Sequence, residues 1–134
     1  MARHMDEFVI VDTCIWASFF SKPGSKGKLE VDKLIDADRV SMIGPILAEV
    51  LLGFRRKDHA DWASSRLLLT HYVDITPDDW RAAADEGRVQ ASRGNKLPLT
   101  DLVAVSIARR LNLMVYSVDP HFDLFEDLRR YDPE

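Results

Sequence analysis

The sequence has a single cysteine, Cys14, in 134 residues. An internal disulfide framework is therefore excluded, and one thiol suits the reducing cytoplasm expected for this chain. Long apolar runs are also missing. Stretches such as Phe8 to Val11 fall far short of the ~20 residues that cross a bilayer, so no membrane span is expected. No charged-then-apolar leader precedes Phe8, which argues against a signal peptide. Met1-Ala2-Arg3-His4-Met5 reads instead as a vector remnant ahead of a native Met5. Basic charge is not in excess: the net charge of −4 gives no direct argument for a nucleic-acid partner. Repeats and low-complexity tracts are absent too, so residues 1–134 read as a single domain.

What is present is an alternation of short apolar runs and amphipathic stretches. Phe8-Val9-Ile10-Val11 reads as a strand buried on both faces, with Asp12 at its end. A short aromatic helix follows over 14–20, then a Pro/Gly loop over 21–27 and a helix over 29–37. A second strand is expected at 40–43. Pro45 then opens a helix to about Arg56, in which Ile46, Leu47, Val50, Leu51 and Phe54 form one core-facing stripe. The remaining pattern predicts a helix at 58–69, a strand at 72–75 and a helix started by Thr76-Pro77-Asp78-Asp79, with small residues Ala83, Ala84, Gly87 and Ala91 for close packing. A loop over 94–99 leads to a helix over 101–111 capped by Thr100, with Arg109 and Arg110 at its negative end. A strand at 113–117, a short helix at 120–125 and an edge strand at 128–131 complete it. The fold class is α/β, with a mostly parallel sheet covered on both faces by helices. In such sheets ligands bind beyond the carboxyl ends of strands, where the strand order reverses.

Four carboxylates stand out by position. Asp12 ends a buried strand, where an ionised group is costly unless paired or coordinated; the plain alternative is a helix cap. Glu49 lies beside Ile46 and Gly53 on the flank of the apolar stripe. There it can reach into a cleft, with Gly53 leaving room for another group, or simply edge into solvent. Asp101, one residue after Thr100, is either a site acid or a dipole-compensating residue. Asp119 either joins the others or starts the turn at Pro120. Convergence of all four would create mutual repulsion that a hard divalent cation such as Mg²⁺ removes. Two such ions about 3.5–4 Å apart suit in-line displacement at a phosphodiester.

The segments carrying these acids resemble the PIN domain, specifically the VapC ribonuclease toxins of toxin–antitoxin pairs. The resembling stretches are Val9 to Trp16, Ile46 to Gly53, Leu97 to Ala104 and Val115 to Phe122, and together they span nearly the whole chain. The resemblance implies a three-layer α/β/α fold with four or five central strands. It implies endoribonuclease activity with Mg²⁺ or Mn²⁺, a homodimer, and inhibition by a cognate VapB-like antitoxin. Asp12, Glu49 and Asp101 would be the principal metal-site acids, with Asp119 completing the cluster or orienting water and Thr13 supporting the shell. Ser117 stands where the family usually has Thr and keeps the supporting hydroxyl. Cys14 stands where Asn or Ser is common, so a polar contact is expected to be lost there.

Arg88, Arg93 and Lys96 are candidates for holding RNA phosphates, against the plainer reading of solvated cations, and Arg55-Arg56-Lys57 form a similar group. Trp16, Phe19 and Phe20 suit core or partner packing better than base stacking, and His121 is an isolated candidate proton donor. A haloacid-dehalogenase-type phosphatase needs a second Asp where Cys14 stands, and a receiver domain needs a late Lys, absent beyond Lys96. The remaining rival is a catalytically weak PIN-like module that binds nucleic acid or a partner without cutting.

Overall fold

A computed structural model describes residues 7–133. The vector-remnant reading of 1–5 lies outside the described residues. Val9–Val11 forms strand β1, followed by helices α1 (Thr13–Ser21) and α2 (Lys26–Asp36). Strand β2 (Val40–Ile43) leads directly into α3 (Gly44–Leu52) and α4 (Lys57–Leu67). Strand β3 (His71–Val73), α5 (Pro77–Ser92), α6 (Leu99–Leu111) and β4 (Met114–Tyr116) precede a 3-10 helix at Pro120–Leu124.

The four strands form one all-parallel sheet in the order β3-β2-β1-β4. Every residue of β1 and β2 is buried, which requires helices on both faces and gives the expected three-layer α/β/α arrangement. The chain steps from β1 outward to β2 and β3, then returns to the other side of β1 for β4. The order therefore reverses between β1 and β4, with Val9, Ile10 and Val11 in register with Met114, Val115 and Tyr116. Ligand chemistry in open α/β sheets belongs at such a point.

Several boundary expectations change. The helix bearing Asp101 starts at Leu99, not after Thr100, because Pro98 has the extended N-cap conformation and no side chain caps the end. Thr100 lies inside the first turn. The helix opened by Pro45 stops at Leu52 and Gly53 rather than near Arg56. The expected edge strand at 128–131 is one parallel bridge from Arg130 to Val115, beside β4.

Helix α6 is the central helix: residues 101 to 108 are all buried. Helix α5 lies close against it because Gly87 has no Cβ; one built there would stand 3.0 Å from Leu102 Cδ1. The Thr76 start of α5 is a full capping box, Thr76 Oγ1 accepting the Asp79 N–H while Asp79 accepts the Thr76 N–H. Arg109 and Arg110 do more than face a helix end. Arg109 bonds Asp127, and Arg110 donates to both oxygens of buried Asp79 at 2.7 and 2.9 Å, tying α6 to the start of α5.

Burial pushes the Asp79 carboxyl up, but the Arg110 and Thr76 hydrogen bonds outweigh it, and the group lies below its ordinary 3.8. Asp79→Ala removes both the cap and a buried ion-pair partner. It should cost about 2–3 kcal/mol in urea unfolding at pH 7, discounted from a fully buried pair because Arg110 is partly exposed. A depressed folded value means this stability is complete above about pH 4 and lost as pH falls through that lower value. The gap between wild type and variant should therefore close in acid, and an equal gap at pH 7 and pH 2 would contradict this account.

Candidate metal centre

The reversal point gathers side chains from the ends of β1 and β4 and the start of α6. Asp12 follows β1, and its N–H donates to Tyr116 O at 2.9 Å, extending the ladder by one bond. It occupies the N-cap position of α1, yet its carboxylate makes no cap hydrogen bond. Only 6% exposed, it accepts instead from Ser117 Oγ at 2.7 Å and from Cys14 Sγ at 3.4 Å. The cap alternative for Asp12 is thus set aside. Burial pushes the Cys14 thiol up, leaving it protonated, so the polar contact expected to be lost here survives as a weak one.

Ser117 links two acids. Its hydroxyl donates to Asp12 and accepts the Asp119 N–H at 3.0 Å. Asp119 then caps the 3-10 helix, Oδ1 accepting the His121 N–H at 2.9 Å, so the turn-starting alternative for Asp119 is also true. That tight turn folds the His121 ring back onto the acids, with Nδ1 at 2.9 Å from Asp101 Oδ2 and 3.2 Å from Asp119 Oδ1. One ligand atom from each of Asp101, Asp119 and His121 lies within 4.8 Å of the others. Beyond Ser117, Arg130 acts as a clasp: Nη2 donates to Ser117 O at 3.0 Å and Nη1 to Asp123 at 2.9 Å.

Asp101 projects from the first turn of α6 and is 7% exposed. Burial pushes its carboxyl above the usual range, the His121 hydrogen bond opposes this, and the charges of Asp12 and Asp119 add to the rise. His121 is raised in turn, chiefly by its bond to Asp101. Glu49 is exposed on α3, where Oε1 accepts Thr13 Oγ1 at 2.7 Å, next in sequence to Asp12. Asp12 and Glu49 stand outside the tight group of three and are joined to it through Ser117 and through Thr13 and Asp12. Among the described residues, no Lys or Arg pairs with Asp12, Asp101 or Asp119.

Clustered carboxylates facing one imidazole and no Lys or Arg are stabilised by a cation or by protons. The donor set of Asp101, Asp119 and His121, carboxylate oxygens with one imidazole nitrogen, fits a hard divalent cation such as Mg²⁺ or Mn²⁺. The other candidates are not gathered here. Arg88 pairs with Asp85, Arg93 ends α5, and Lys96 is exposed in the following loop. Trp16 is core at 1% exposure, while Phe19 and Phe20 are half-buried.

The PIN domain family matches residues 9–128. The chain belongs to the PIN-domain family. Ribonuclease VapC11 of Mycobacterium tuberculosis and VapC ribonuclease Mb1587 of Mycobacterium bovis are each 27% identical to it over 122 residues, covering 87% of this chain and 90% of theirs. VapBC2 from Rickettsia felis, solved bound to a DNA fragment from their promoter, superposes with a TM-score of 0.76 at 14% identity, covering 95% of this PIN domain and 99% of that chain. DNA-bound VapBC from Salmonella typhimurium gives 0.74 at 15%, covering 93% and 97%. At those identities the likeness is one of fold. His121 is the centre residue that sequence reasoning underrated; the available signal was its place two residues after an Asp that caps a turn.

Ser117→Ala removes the hydroxyl shared by Asp12 and Asp119 in this PIN domain. It should weaken Mn²⁺ binding, measured by calorimetry, about 10–100-fold, and Ser117→Thr should restore it. Equal affinities for wild type and Ser117→Ala would show that Ser117 does not organise the site.

Proposed function

We propose that this PIN domain is a Mg²⁺- or Mn²⁺-dependent endoribonuclease of the VapC type, the toxin of a toxin–antitoxin pair acting in the cytoplasm. The observation that carries the reading is the gathering of Asp101, Asp119 and His121 at the β1/β4 reversal with no Lys or Arg partner among the described residues, Asp12 being joined to them through Ser117 and Glu49 held by Thr13. The ribonuclease names of the curated relatives supply the substrate class.

When bound, the metal supplies Lewis acidity toward the phosphodiester and lowers the pKa of the attacking water. The chain's residues do the rest. Asp12, Asp101 and Glu49 would be the principal ligands, with Asp119 completing the cluster or orienting the water. Ser117 fixes the Asp12 carboxylate through its hydroxyl, Thr13 does the same for Glu49, and His121 holds a proton between Nδ1 and Asp101. Arg88, Arg93 and Lys96, exposed from the end of α5 into the loop before α6, hold phosphates of the RNA. The active species is a homodimer, neutralised by a VapB-like antitoxin. An apolar cleft of about 300 Å³ between α1, α2 and α4, lined by Phe19, Ile35, Trp62, Leu67 and Leu69, supports a protein partner.

The wild-type protein should cleave a structured RNA only with Mg²⁺ or Mn²⁺ present. Asp12→Ala and Asp101→Ala should each lower the rate at least about 100-fold with an unchanged circular dichroism spectrum. Induced expression should arrest bacterial growth, and the partner protein should relieve it. Failure to cut a broad RNA pool, together with no calorimetric metal binding, would replace this reading with the non-cutting binding module.

A further inference from the structure

A second groove, of about 400 Å³, begins at Thr13 and Glu49 beside the acid centre and shares Phe20 with the cleft assigned to a protein partner. One wall is the α1 stripe of Thr13, Ala17 and Phe20; the other is the end of α3, with Glu49, Gly53 and the following Phe54. The Thr13–Glu49 hydrogen bond closes the end nearest the acids. Ser21, at the far end, lies eight steps along the helix from Thr13, a rise of about 12 Å. There the Phe20 and Phe54 rings meet edge to face, with centroids 5.3 Å apart. Arg55 also lines the groove. Its neighbours are engaged, Arg56 with Asp58 and Lys57 with Asp61. Arg55 makes no ion pair among the described residues.

We propose that this groove holds the nucleobase of a single-stranded RNA nucleotide flanking the scissile phosphate, its face on Phe54 and its backbone phosphate at Arg55; this rests on the ribonuclease reading. Three observations select that occupant. The groove starts at Glu49 and at Thr13, the residue after Asp12, so a strand whose phosphate reaches the centre brings a neighbouring nucleotide close to it. Its walls are mainly apolar and aromatic, which suits a π-face. Its one unengaged cation matches a phosphodiester. With few polar groups in the walls, the base is recognised by stacking and shape, with tolerance between bases rather than a hydrogen-bond code.

The test is an abasic scan of a cleaved RNA oligonucleotide, read both by kcat/KM with Mn²⁺ and by equilibrium fluorescence anisotropy. In the wild type, one abasic position beside the cut should lower kcat/KM and affinity about tenfold. In Phe54→Ala, and in Phe54→Leu, which keeps packing volume without an aromatic face, that penalty should vanish. Ala17→Leu, which fills the groove from an exposed helical position, should raise KM for intact RNA more than it lowers kcat. Trp80→Ala, an exposed aromatic on α5 outside the groove, should keep the wild-type penalty. Thermal melting checks that each variant folds. Equal abasic penalties in wild type and Phe54 variants overturn the proposal while leaving the nuclease reading intact. So does the case in which Phe54→Ala weakens only binding of the protein partner. A wild type that cuts no RNA sinks the nuclease reading instead, and the anisotropy scan then decides the groove by the same comparison.

Discussion

Carboxylates that share a buried corner with no arginine or lysine repel one another, and the rest of this domain is organised around that repulsion. The acids are held together by main chain. Asp12 and Asp119 stand just past the ends of two parallel strands whose register is fixed by hydrogen bonds, and Asp101 sits on the first turn of the most deeply buried helix. None of the three can retreat without breaking a ladder or a helix start. The strain is relieved locally by Ser117, which donates to Asp12, and by the His121 ring, which lies within hydrogen-bond distance of Asp101 and Asp119.

The more distant structure stiffens these supports. Helix α6 carries Asp101 and is clamped on one side by α5, close-packed at Gly87 and bound by Arg110 to the Asp79 capping box. At its C-terminus Asn112 adopts the left-handed conformation, turning the chain directly into β4. The same helix thus sets the position of Asp101 at one end and delivers the strand that carries Ser117 and Asp119 at the other.

Much of this was legible because burial writes itself as apolar runs. Val9 to Val11 announced a strand buried on both faces, and an acid at its end announced a cost needing explanation. The Thr76 start was legible because capping and proline preferences act locally. What stayed hidden depended on distant partners. Thr100 resembles a cap, yet the fixed backbone of Pro98 starts the helix first. The strand expected at 72–75 begins earlier, at His71, whose ring stacks on Phe8 with centroids 4.8 Å apart. Arg109 and Arg110 suited a helix dipole by sequence, and only the fold reveals Asp127 and Asp79 as their partners. His121 gained meaning from a turn that brings its ring back over two acids, which its spacing from Asp119 hinted at and only the fold completes.

The Arg130 clasp couples the last described residues to the centre. Side chains alternate along an extended segment, so inserting one residue between Leu128 and Tyr131 would exchange the facing of Arg130 and Tyr131. Tyr131 now packs on Tyr116 and donates to Glu30. Such a slip would swing a guanidinium into that aromatic pocket and leave the Ser117 carbonyl without its donor. A change some ten residues downstream would thereby loosen the acids without altering any of them.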